Sequence, residues 1–401
     1  MLVSTLRVIL SMSKIHKMKV AILYSNFLDS EGTKQKIGGI ETYLWNLAKL
    51  IVERGDEPVL FQPASSEFER QIDHIKVFGV ERNRKRLRRN TCKDLYERAM
   101  SYIDKKQDLI VFGADHVSVR TDYPRTLSIQ HGISWDIPGR LLRGNILGNI
   151  PLMPDWACKK YSAYRSYLYF NNCKNRVCVD YNFLNWYRTQ VDDMPKGKVW
   201  VVPNFAKIPD NYQLKMFRHQ DGPIKVIFAR RFIENRGVYL MVPVVKKLLK
   251  LFNDIEFCFA GDGPCLRFIM DAFEGQPRVS VLKYTPDDSL KVHESFHIAV
   301  VPSIGSEGTS LSLAEAMGAG CAVIATNVGG MTNMVLDGYN GRLISPNIDD
   351  LENVLVELIR DRRLCSKLGA RAAETAREAF SLDRWKTKWS EVLDSVYMDC
   401  D

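Results

Sequence analysis

Two glutamates eight residues apart lie in a setting that suits the binding of phosphate and sugar oxygens. Glu307 falls in a Gly/Ser-rich loop after an apolar strand pattern, and Glu315 falls on the helix pattern "LSLAEAMGAG" that follows. The first residues of such a helix present backbone N–H groups, which attract oxygen-bearing anions. The residues that present these groups are Gly308, Thr309, Ser310 and Leu311.

A second group of residues with possible chemistry is "HESFH" at 293–297, which matches the zinc-protease signature H-E-x-x-H. Glu315 follows His297 after 17 intervening residues, near the place of a third ligand in one class of zinc proteases. That spacing is short by at least one residue, and one residue rotates a helical side chain by about 100°. The signature also needs the middle of a helix, whereas this stretch runs into the strand pattern "IAVVPS". We therefore interpret His293 and His297 as helix-end residues beside a strand.

The elements that hold these loops alternate between short apolar strand patterns and longer helical patterns. "KVAILYS" at 19–25 predicts a strand, and 38–55 predicts a helix whose apolar residues keep helical spacing. Further strand patterns follow, among them "EPVLF", "IKVFGV", "DLIVFG", "TLSIQHG" and "NRVCVD". Continuous apolar strands of this kind are buried on both faces of a parallel sheet.

A Pro-, Asn- and Asp-rich stretch at 202–223 divides two such series of strands. The second series begins with "IKVIFAR" and ends with "GRLISP", and a helical pattern with a start signal at Ser381 and Asp383 closes the chain. The sequence therefore predicts an α/β fold of two Rossmann-like lobes. The predicted divisions are an extension at 1–17, an N-terminal lobe at 18–210, a C-terminal lobe at 211–380 and a C-terminal helix at 381–401.

The composition of the chain is that of an ordinary globular protein. Its 401 residues suit two domains, and hydrophobic residues make up 46% against 26% charged. No apolar run reaches the roughly 20 residues that span a bilayer, and the opening stretch lacks the features of a signal peptide. The nine cysteines are scattered and never spaced C-x-x-C, which favours reduced thiols in a cytosol.

The formal net charge of +9 indicates anionic partners. The densest basic run is "RNRKRLRR" at 82–89, which has none of the interleaved aromatic residues that single-strand nucleic-acid platforms use. Nucleic acid is therefore not an expected partner. The run has two interpretations, a solvated loop or a patch that binds membrane or lipid phosphate.

Several motifs taken together resemble the retaining family 4 glycosyltransferases of the GT-B fold. Glu307 and Glu315 match the family's E-x7-E, with "EAM" at the second glutamate and "VIAT", "GG" and "DGYNG" after it. "FARRFIENRG" is similar to the family's G-R-L-x-x-x-K-G segment, and "FAGDGP", "VVPNF" and "GGIETYLWNLA" match further family blocks. The resemblance covers most of the chain from Met18.

The resemblance implies two parallel-sheet lobes that face an interlobe cleft, with a C-terminal helix that crosses back to the N-terminal lobe. It implies that the N-terminal lobe, 18–210, binds the acceptor and that the C-terminal lobe, 211–380, binds the nucleotide sugar. It also implies transfer of a sugar from a nucleoside diphosphate to an acceptor hydroxyl with retention. Fixed cations would neutralise the departing diphosphate, so no metal cofactor is implied. The only D-x-D is Asp399–Asp401, at the extreme C-terminus. Whether Glu307 attacks the sugar covalently, or the leaving phosphate activates the acceptor on the same face, stays open.

The roles of individual residues are likewise those that the resemblance implies. Arg231 and Arg236 hold the diphosphate together with the Gly38–Gly39 turn, and the N–H groups before and within the helix contribute. Glu315 accepts hydrogen bonds from the ribose. Glu307 binds sugar hydroxyls, and His131 lies beside the transferred sugar.

Some residues depart from the family pattern. Ala229 and Arg230 stand before Arg231 without the usual glycine, and Arg236 replaces a lysine. Thr309 and Ser310 replace the usual Phe-Gly after the first glutamate, and Asn333 stands where a glutamate often follows the glycine pair. These changes bear on the identity of the donor more than on the presence of an activity.

Three further expectations concern the biological setting. The acceptor is a glycan or a lipid-linked molecule of the cell envelope, and the aromatic and basic segment 132–170 is a candidate contact for it, although the same residues suit packing within the lobe. The protein is expected in the cytoplasm, with possible peripheral contact with an anionic membrane. The rival functions are a sugar-nucleotide epimerase or phosphorylase of the same fold, and a non-catalytic module that binds nucleotide sugars.

Overall fold

A computed structural model describes residues 17–82, 88–139, 141–142, 154–193, 197–209 and 222–398. Within this part of the chain, eight strands form the first sheet, in the order β3-β4-β2-β1-β5-β6-β7-β8. β1 pairs in parallel with β2 and with β5, whereas β3 is antiparallel to β4. The strands are β1 Lys19–Leu23, β2 Glu57–Ala64, β3 Phe68–Ile72, β4 Ile75–Glu81, β5 Leu109–Phe112, β6 Thr126–Gln130, β7 Asn175–Cys178 and β8 Val199–Val201.

The helices in this half of the sequence are α1 Gly39–Glu53, α2 Arg88–Tyr102, α3 Asp155–Phe170 and α4 Tyr181–Arg188. α1 follows β1 as the sequence predicts. Its apolar residues Leu44, Leu47 and Ile51 are fully buried, because their spacing places them on one face of the helix. β1 is buried from Val20 to Leu23, which fits a central strand covered on both faces.

The second sheet has six strands among the described residues, in the order β11-β10-β9-β12-β13-β14, and all five neighbouring pairs are parallel. The strands are β9 Ile224–Ala229, β10 Ile255–Ala260, β11 Val279–Leu282, β12 Ile298–Val301, β13 Ala322–Thr326 and β14 Arg342–Ile344. The helices that accompany them are α5 Val238–Leu251, α6 Leu266–Ala272, α7 Ser289–His293, α8 Leu311–Gly318, α9 Ile348–Arg360, α10 Arg362–Ala379 and α11 Leu382–Met398.

The side chains of the second sheet fill a core on each of its faces. Val226 and Phe228 on β9 belong to one hydrophobic cluster, whereas the intervening Ile227 and the following Ala229 belong to the other. Successive side chains of a strand point to opposite faces, so a strand between two layers of helices must be apolar throughout. The predicted α/β fold with two parallel-sheet, Rossmann-like lobes is confirmed.

The described residues group into two compact units by their contacts. One unit holds the chain up to Ser128 together with Asn172–Asn175 and the residues from Val396. The other holds Ile129–Asn171 and Arg176–Ser395. The boundary predicted at residue 210 lies outside the described residues and stays a prediction, as does the extension up to residue 16.

Two further features concern the whole of the described chain. None of its helices combines the length and the apolar character needed to cross a bilayer. All eight of its cysteines are buried. Burial raises the pKa of the Cys365 thiol to about 12 and also raises that of Cys258.

Candidate functional site

The loops that follow β9, β12 and β13 carry most of the residues predicted to do chemistry. These three strands are neighbours in the second sheet. Their carboxyl ends lead into Arg230, into the loop 302–310 and into the turn Gly329–Asn333. In open parallel sheets, ligands bind beyond the carboxyl ends of the strands. The predicted site therefore falls where this fold places ligand sites.

Glu307 lies in that loop and is held by two arginines. Its side chain is only 6% exposed, and Oε1 lies 2.5 Å from an Nη2 of Arg230. Oε2 forms an ion pair with Arg236, which also donates a hydrogen bond of 2.9 Å to the carbonyl of Ser306. Burial alone would raise the pKa of Glu307, but Arg236 and Arg230 outweigh burial and hold the pKa below its usual value. Glu307 is therefore an ionised carboxylate, and both of its oxygens contact a cation.

Arg230 is a site residue that the sequence did not single out for a role. It lies directly after β9 and is buried, with its Nη1 donating to Ser303 Oγ over 2.7 Å. Its Nε is buried and lacks a hydrogen-bond partner within the described structure. The sequence contains one indication of a role for Arg230. It is an additional arginine next to Arg231, at a position where the family pattern has no second arginine.

The backbone around Glu307 is fixed by a glycine. Gly329 has φ +53°, and a Cβ at this position would lie 1.9 Å from the carbonyl oxygen of Glu307. The next residue, Gly330, donates its N–H to that same carbonyl over 3.1 Å. Any other residue at 329 would push the turn after β13 away from Glu307. The close approach of this turn to Glu307 therefore explains on steric grounds why the motif has glycine here.

A short segment after β6 packs against the same loop. The N–H of Ser306 donates to Asp136 Oδ1 over 2.6 Å, and Ser306 has the unusual φ of 57°. Burial raises the pKa of Asp136, and the nearby Glu307 adds to that shift. His131, which directly follows β6, is half-buried, and its carbonyl oxygen would lie 3.0 Å from a Cβ at Gly308. His131 and Glu307 therefore belong to neighbouring loops of one unit.

The start of α8 is capped by its own side chains. Ser310 Oγ accepts the N–H of Leu313 over 3.4 Å, and the N–H of Ser310 donates to Met334 Sδ. Thr309 Oγ1 donates to the carbonyl of Val179 over 2.8 Å. Thr309 and Ser310 are buried, whereas Gly308 and Leu311 are partly exposed. Of the four predicted N–H groups, that of Ser310 already has a partner.

Glu315 lies one further turn along α8 and is half-buried. Its Oε2 accepts a hydrogen bond of 2.6 Å from Ser289 Oγ, at the start of α7. Loss of solvent around the carboxyl group raises its pKa to about 7, against the lowering effect of the Ser289 hydrogen bond. Glu315 thus changes charge near neutral pH.

The remaining donor-site candidates differ in their surroundings. Arg231 is exposed, and its guanidinium has no hydrogen-bond or ion-pair partner among the described residues, so it is available to a ligand. Gly38 precedes α1 with extended backbone, and Gly39 is the first residue of that helix. The glycine pair belongs to the first compact unit.

Asp180 is a second residue that the sequence did not single out. Its Oδ1 caps α4 by accepting the N–H of Phe183 over 2.9 Å, while its Oδ2 is buried without a hydrogen-bond partner in the described structure. Burial raises the pKa of Asp180 to about 6. A Cβ at Gly308 would lie 3.4 Å from Oδ2, which places this carboxyl group beside the Glu307 loop.

The two histidines of the zinc-like motif contact other parts of the protein. α7 ends at His293, whose ring Nδ1 lies 2.8 Å from the carbonyl oxygen of Ser289. His297 lies beyond that helix, and its Nδ1 accepts the N–H of Lys225 over 3.0 Å. In the described part of the chain, no cluster of three or more His, Cys, Asp or Glu has a geometry that would hold a metal ion.

The first compact unit has a cavity of its own, with a volume of about 820 Å³. It lies at the carboxyl ends of β1, β2, β4 and β5, and none of its lining residues in the described chain is acidic. The hydroxyl and amide groups of Ser25, Asn26, Ser30, Ser65 and Thr91 line it together with Lys36, Arg82 and His116. The cavity therefore suits an anionic, hydroxyl-bearing ligand.

The segment 132–170 divides into core and surface residues. Trp135 is buried and packs against Phe183 and Trp186, so it is part of the hydrophobic core. Trp156 and Tyr164 are exposed on α3. Two of the five basic residues of this segment, Arg140 and Arg143, lie outside the described residues, as does most of the basic run 82–89.

One stretch of the chain, which includes Glu307, matches a known protein family. Residues 213–375 match the family of glycosyl transferases group 1. Over 168 residues, 41% of the chain, the sequence is 30% identical to the gpi3 subunit of phosphatidylinositol N-acetylglucosaminyltransferase from Schizosaccharomyces pombe. Over 218 residues, 48% of the chain, it is 28% identical to lipopolysaccharide 1,2-N-acetylglucosaminetransferase from Salmonella typhimurium. These matches span 36% and 55% of the two relatives' own lengths.

A solved structure resembles the chain over nearly its whole length. Anabaena HepE in complex with UDP-glucose superimposes with a TM-score of 0.68 at 17% sequence identity, covering 94% of this chain and 100% of that one. The fold is GT-B.

Proposed function

We propose that the protein is a retaining glycosyltransferase that moves a sugar from a nucleoside diphosphate to a hydroxyl group of a glycan or lipid-linked acceptor. The observation that carries this proposal is Glu307, a buried carboxylate between Arg230 and Arg236 on the loop that leads into α8. Glu315 follows on that helix. The site thus combines cations for a diphosphate with carboxylates for hydroxyl groups.

The arginines supply the electrostatics of the reaction. Departure of a nucleoside diphosphate leaves negative charge on phosphate oxygens, and guanidinium groups fixed beside them stabilise that charge. Arg231 is exposed, and no described residue pairs with its guanidinium, while a quarter of the Arg236 side chain is exposed, so both are accessible to a ligand. Because these fixed cations can neutralise the leaving group, we propose that the reaction needs no metal ion.

Glu307 is suited to orient the donor sugar. Arginines occupy one position on each of its oxygens, and the remaining lone pairs accept hydrogen bonds from sugar hydroxyls. A carboxylate that keeps a guanidinium partner, as Glu307 does with Arg230, is a weak nucleophile. This pairing supports a mechanism in which the leaving phosphate activates the acceptor on the same face of the sugar, with His131 beside the transferred sugar.

Glu315 completes the part of the proposed donor site that lies in the second unit, and the Gly38–Gly39 turn is the candidate contributed by the first unit. Glu315 accepts hydrogen bonds from the ribose hydroxyls, a role that requires the ionised carboxylate. The glycine pair at the start of α1 offers backbone N–H groups to the diphosphate. HepE, which shares the fold, was solved with UDP-glucose, and this supports a nucleotide-sugar donor.

The cavity of the first unit is the proposed acceptor site. Lys36, Arg82 and His116 suit an acceptor that bears a phosphate or carboxylate group beside its hydroxyls. The two relatives bear names of glycolipid and lipopolysaccharide synthesis, which supports a cell-envelope glycan or glycolipid as the product. We place the reaction in the cytoplasm, at the inner face of a membrane.

The test is a donor screen with the purified protein. UDP-, GDP-, ADP- and TDP-sugars are incubated with and without candidate acceptors, and mass spectrometry and NMR report the product and its anomeric configuration. We expect one donor class to be consumed with retention, and a Glu307→Gln control to be inactive. Binding of a donor without any turnover would favour the non-catalytic module, and no binding of any donor would refute the proposal.

A further inference from the structure

Two cations contact one buried carboxylate in this site, and they differ in their freedom to move. The Arg230 side chain is 4% exposed and is anchored on Ser303 Oγ as well as on Glu307. The Arg236 side chain is 25% exposed, and its second contact is a backbone carbonyl of the same loop. Arg236 is therefore the one that a ligand from solvent can reach.

The anchor of Arg230 is itself rigid. Ser303 is fully buried, and its carbonyl accepts the hydroxyl of Thr326 over 2.6 Å at the end of β13. The backbone N–H of Arg230 donates to Ala260 over 2.9 Å, which continues the pairing of β9 with β10. The backbone of Arg230 is thus fixed by its hydrogen bond to the neighbouring strand of the sheet.

A diphosphate that binds Arg236 competes with Glu307 for the same guanidinium group. If Arg236 were the only counter-ion, Glu307 would be left as an unpaired, buried carboxylate, which costs several kcal/mol or forces the group to take up a proton. A second cation that stays in place removes this cost. The site contains such a cation in Arg230.

We propose that Arg230 is a positioning residue that keeps Glu307 charged and oriented while Arg236 turns from Glu307 to the diphosphate of the donor. This inference rests on the proposed function, in which Arg236 binds the diphosphate. The guanidinium of Arg230 is buried with a partner on each Nη, so in this proposal it acts through Glu307.

Arg230 determines whether the binding of a diphosphate is accompanied by proton uptake at Glu307. In the wild type, diphosphate binding leaves Glu307 paired with Arg230, so no proton is taken up. In Arg230→Met, Arg236 is the one cation left in contact with Glu307 among the described residues, and the side chain of Ser310 is its remaining hydrogen-bond partner. Because a neutral hydroxyl does not balance the charge, diphosphate binding that draws Arg236 away is accompanied by protonation of Glu307 from solvent. The affinity of this variant therefore rises as the pH falls, whereas that of the wild type does not rise for this reason.

The experiment is isothermal titration calorimetry of the whole protein with UDP, GDP, ADP and TDP at neutral pH, in buffers that differ in ionisation enthalpy. For whichever diphosphate binds the wild type, we expect no proton uptake at Glu307. We expect Arg230→Met to bind roughly tenfold or more weakly and to take up a fraction of a proton that grows toward one at lower pH. Arg230→Lys restores the wild-type behaviour in part.

Two controls separate this role from a structural one. In Arg230→Met combined with Glu307→Gln there is no carboxylate to protonate, so the proton uptake disappears. Arg278→Met removes a different arginine of the same unit, one that donates to the carbonyls of Leu249 and Phe252. Arg278→Met is expected to lower stability without any proton uptake on binding. If Arg230→Met fails to fold, Arg230→Gln takes its place.

The outcomes distinguish the inference from the proposed function. Failure of the wild type to bind any of the four diphosphates refutes the proposed function. Binding by the wild type, with unchanged affinity and no proton uptake in Arg230→Met, overturns the inference and leaves the proposed function standing.

Discussion

Glu315 has a carboxyl group that titrates near neutral pH. Its pKa is raised from 4.5 to about 7 in the folded protein, so the unfolded chain gives up this proton first. The contribution of Glu315 to stability therefore falls as the pH rises from about 4.5 to about 7 and then stays constant. A ligand hydroxyl that donates to the carboxylate reverses part of this effect, because it stabilises the charged form.

If Glu315 accepts hydrogen bonds from the ribose, Glu315→Ala weakens donor binding by about 1–3 kcal/mol, the contribution of a hydrogen bond to a charged group. The wild-type affinity also rises between about pH 6 and about pH 8 as the carboxylate forms. Glu315→Gln removes that rise, since an amide does not titrate. Calorimetric titration with donor across this range is the measurement, and equal affinities of wild type and Glu315→Ala would exclude Glu315 from the site.

Arg231 and Arg236 are expected to act on the chemical step. Loss of either cation slows turnover on the order of 10²-fold or more, because each stabilises charge that develops on the leaving diphosphate. Arg236→Lys is much milder, since it keeps the charge. Single-turnover kinetics with saturating donor measures the effect. Arg267, an exposed arginine paired with Asp271 on α6, is the matched control, and Arg267→Ala is expected to leave the rate unchanged.

The sequence allowed candidate residues to be chosen where they carry a spacing or a motif, and it did not indicate Arg230 and Asp180, which packing brings to the same loop. Glu307 and Glu315 could be chosen because their interval and the helix between them are visible in the sequence. The pairing of Arg230 with Glu307 could not be foreseen, because two adjacent arginines differ only in which one points into the protein. Asp180 is distant in sequence from Glu307, and only the fold brings them close.

At the scale of elements, the turn from β9 into α5 depends on Gly237. This residue has φ +85°, and a Cβ would lie 1.9 Å from the carbonyl oxygen of Pro302. Gly237→Ala therefore combines backbone strain with a steric clash, and we expect it to cost more than the about 1–3 kcal/mol typical of strain alone. Because Arg236 directly precedes it, donor affinity falls as well.

A second glycine of similar conformation provides the control for Gly237. Gly275 has φ +70°, and a Cβ there meets nothing within 4 Å. Gly275→Ala tests the backbone conformation without the clash. We therefore expect it to lower the free energy of unfolding, measured with denaturant, by less than Gly237→Ala does. Equal costs for the two variants would show that the close approach to Pro302 has no energetic weight.

Helix α7 contains a second pH-sensitive group, His293. Burial lowers its pKa from 6.5 to about 4, so the unfolded chain binds a proton that the folded protein excludes. The contribution of His293 to the free energy of unfolding is therefore fully present above pH 6.5, and it is lost as the pH falls toward 4. At about pH 5 the loss is about 2 kcal/mol.

His293→Asn removes this titration while keeping a donor for the carbonyl of Ser289. We expect the variant to be less stable than the wild type at neutral pH, where it loses packing, and the difference to narrow by about 2 kcal/mol near pH 5. Urea unfolding at both pH values gives the comparison. Since Glu315 changes stability in the opposite direction over an overlapping range, only the difference between variant and wild type isolates His293. A constant difference would contradict the assignment.

The strands and helices with strong apolar periodicity were predicted from the sequence, and the weakly patterned strand β3 was not. β3 has the sequence "FERQI" and is mostly exposed, so it lacks the apolar run that marks a central strand. Its antiparallel pairing with β4 is decided by the short turn between them. The end of α7 at His293 was foreseen, because the β-branched run of β12 begins soon afterwards.

At the scale of the whole molecule, the charge of +9 bears on membrane association. Each Lys or Arg near an anionic leaflet contributes about 1 kcal/mol, an effect that fades as salt screens it. If the run 82–89 binds lipid phosphate, the protein floats with anionic liposomes at low salt and much less at high salt. Changing Arg84, Lys85, Arg86 and Arg88 to Ser abolishes flotation.

The matched control for the basic run changes four exposed cations elsewhere, Lys246, Lys250, Lys291 and Arg363, to Ser. Both variants carry the same net charge, so a difference between them reports position and not total charge. We expect the control to float like the wild type. Equal flotation of all three proteins, or of none, would identify the run as a solvated loop.

The buried cysteines give this protein built-in reporters of local opening. A thiol shielded from solvent reacts with a disulfide reagent only while the structure around it is open, so its labelling rate measures how often that opening occurs. Cys92 and Cys173 lie in the first compact unit, and Cys258, Cys321 and Cys365 lie in the second. Peptide mapping after labelling of the unmodified protein therefore follows the fluctuations of each unit separately, and a ligand that steadies only one of them slows the labelling of that unit alone.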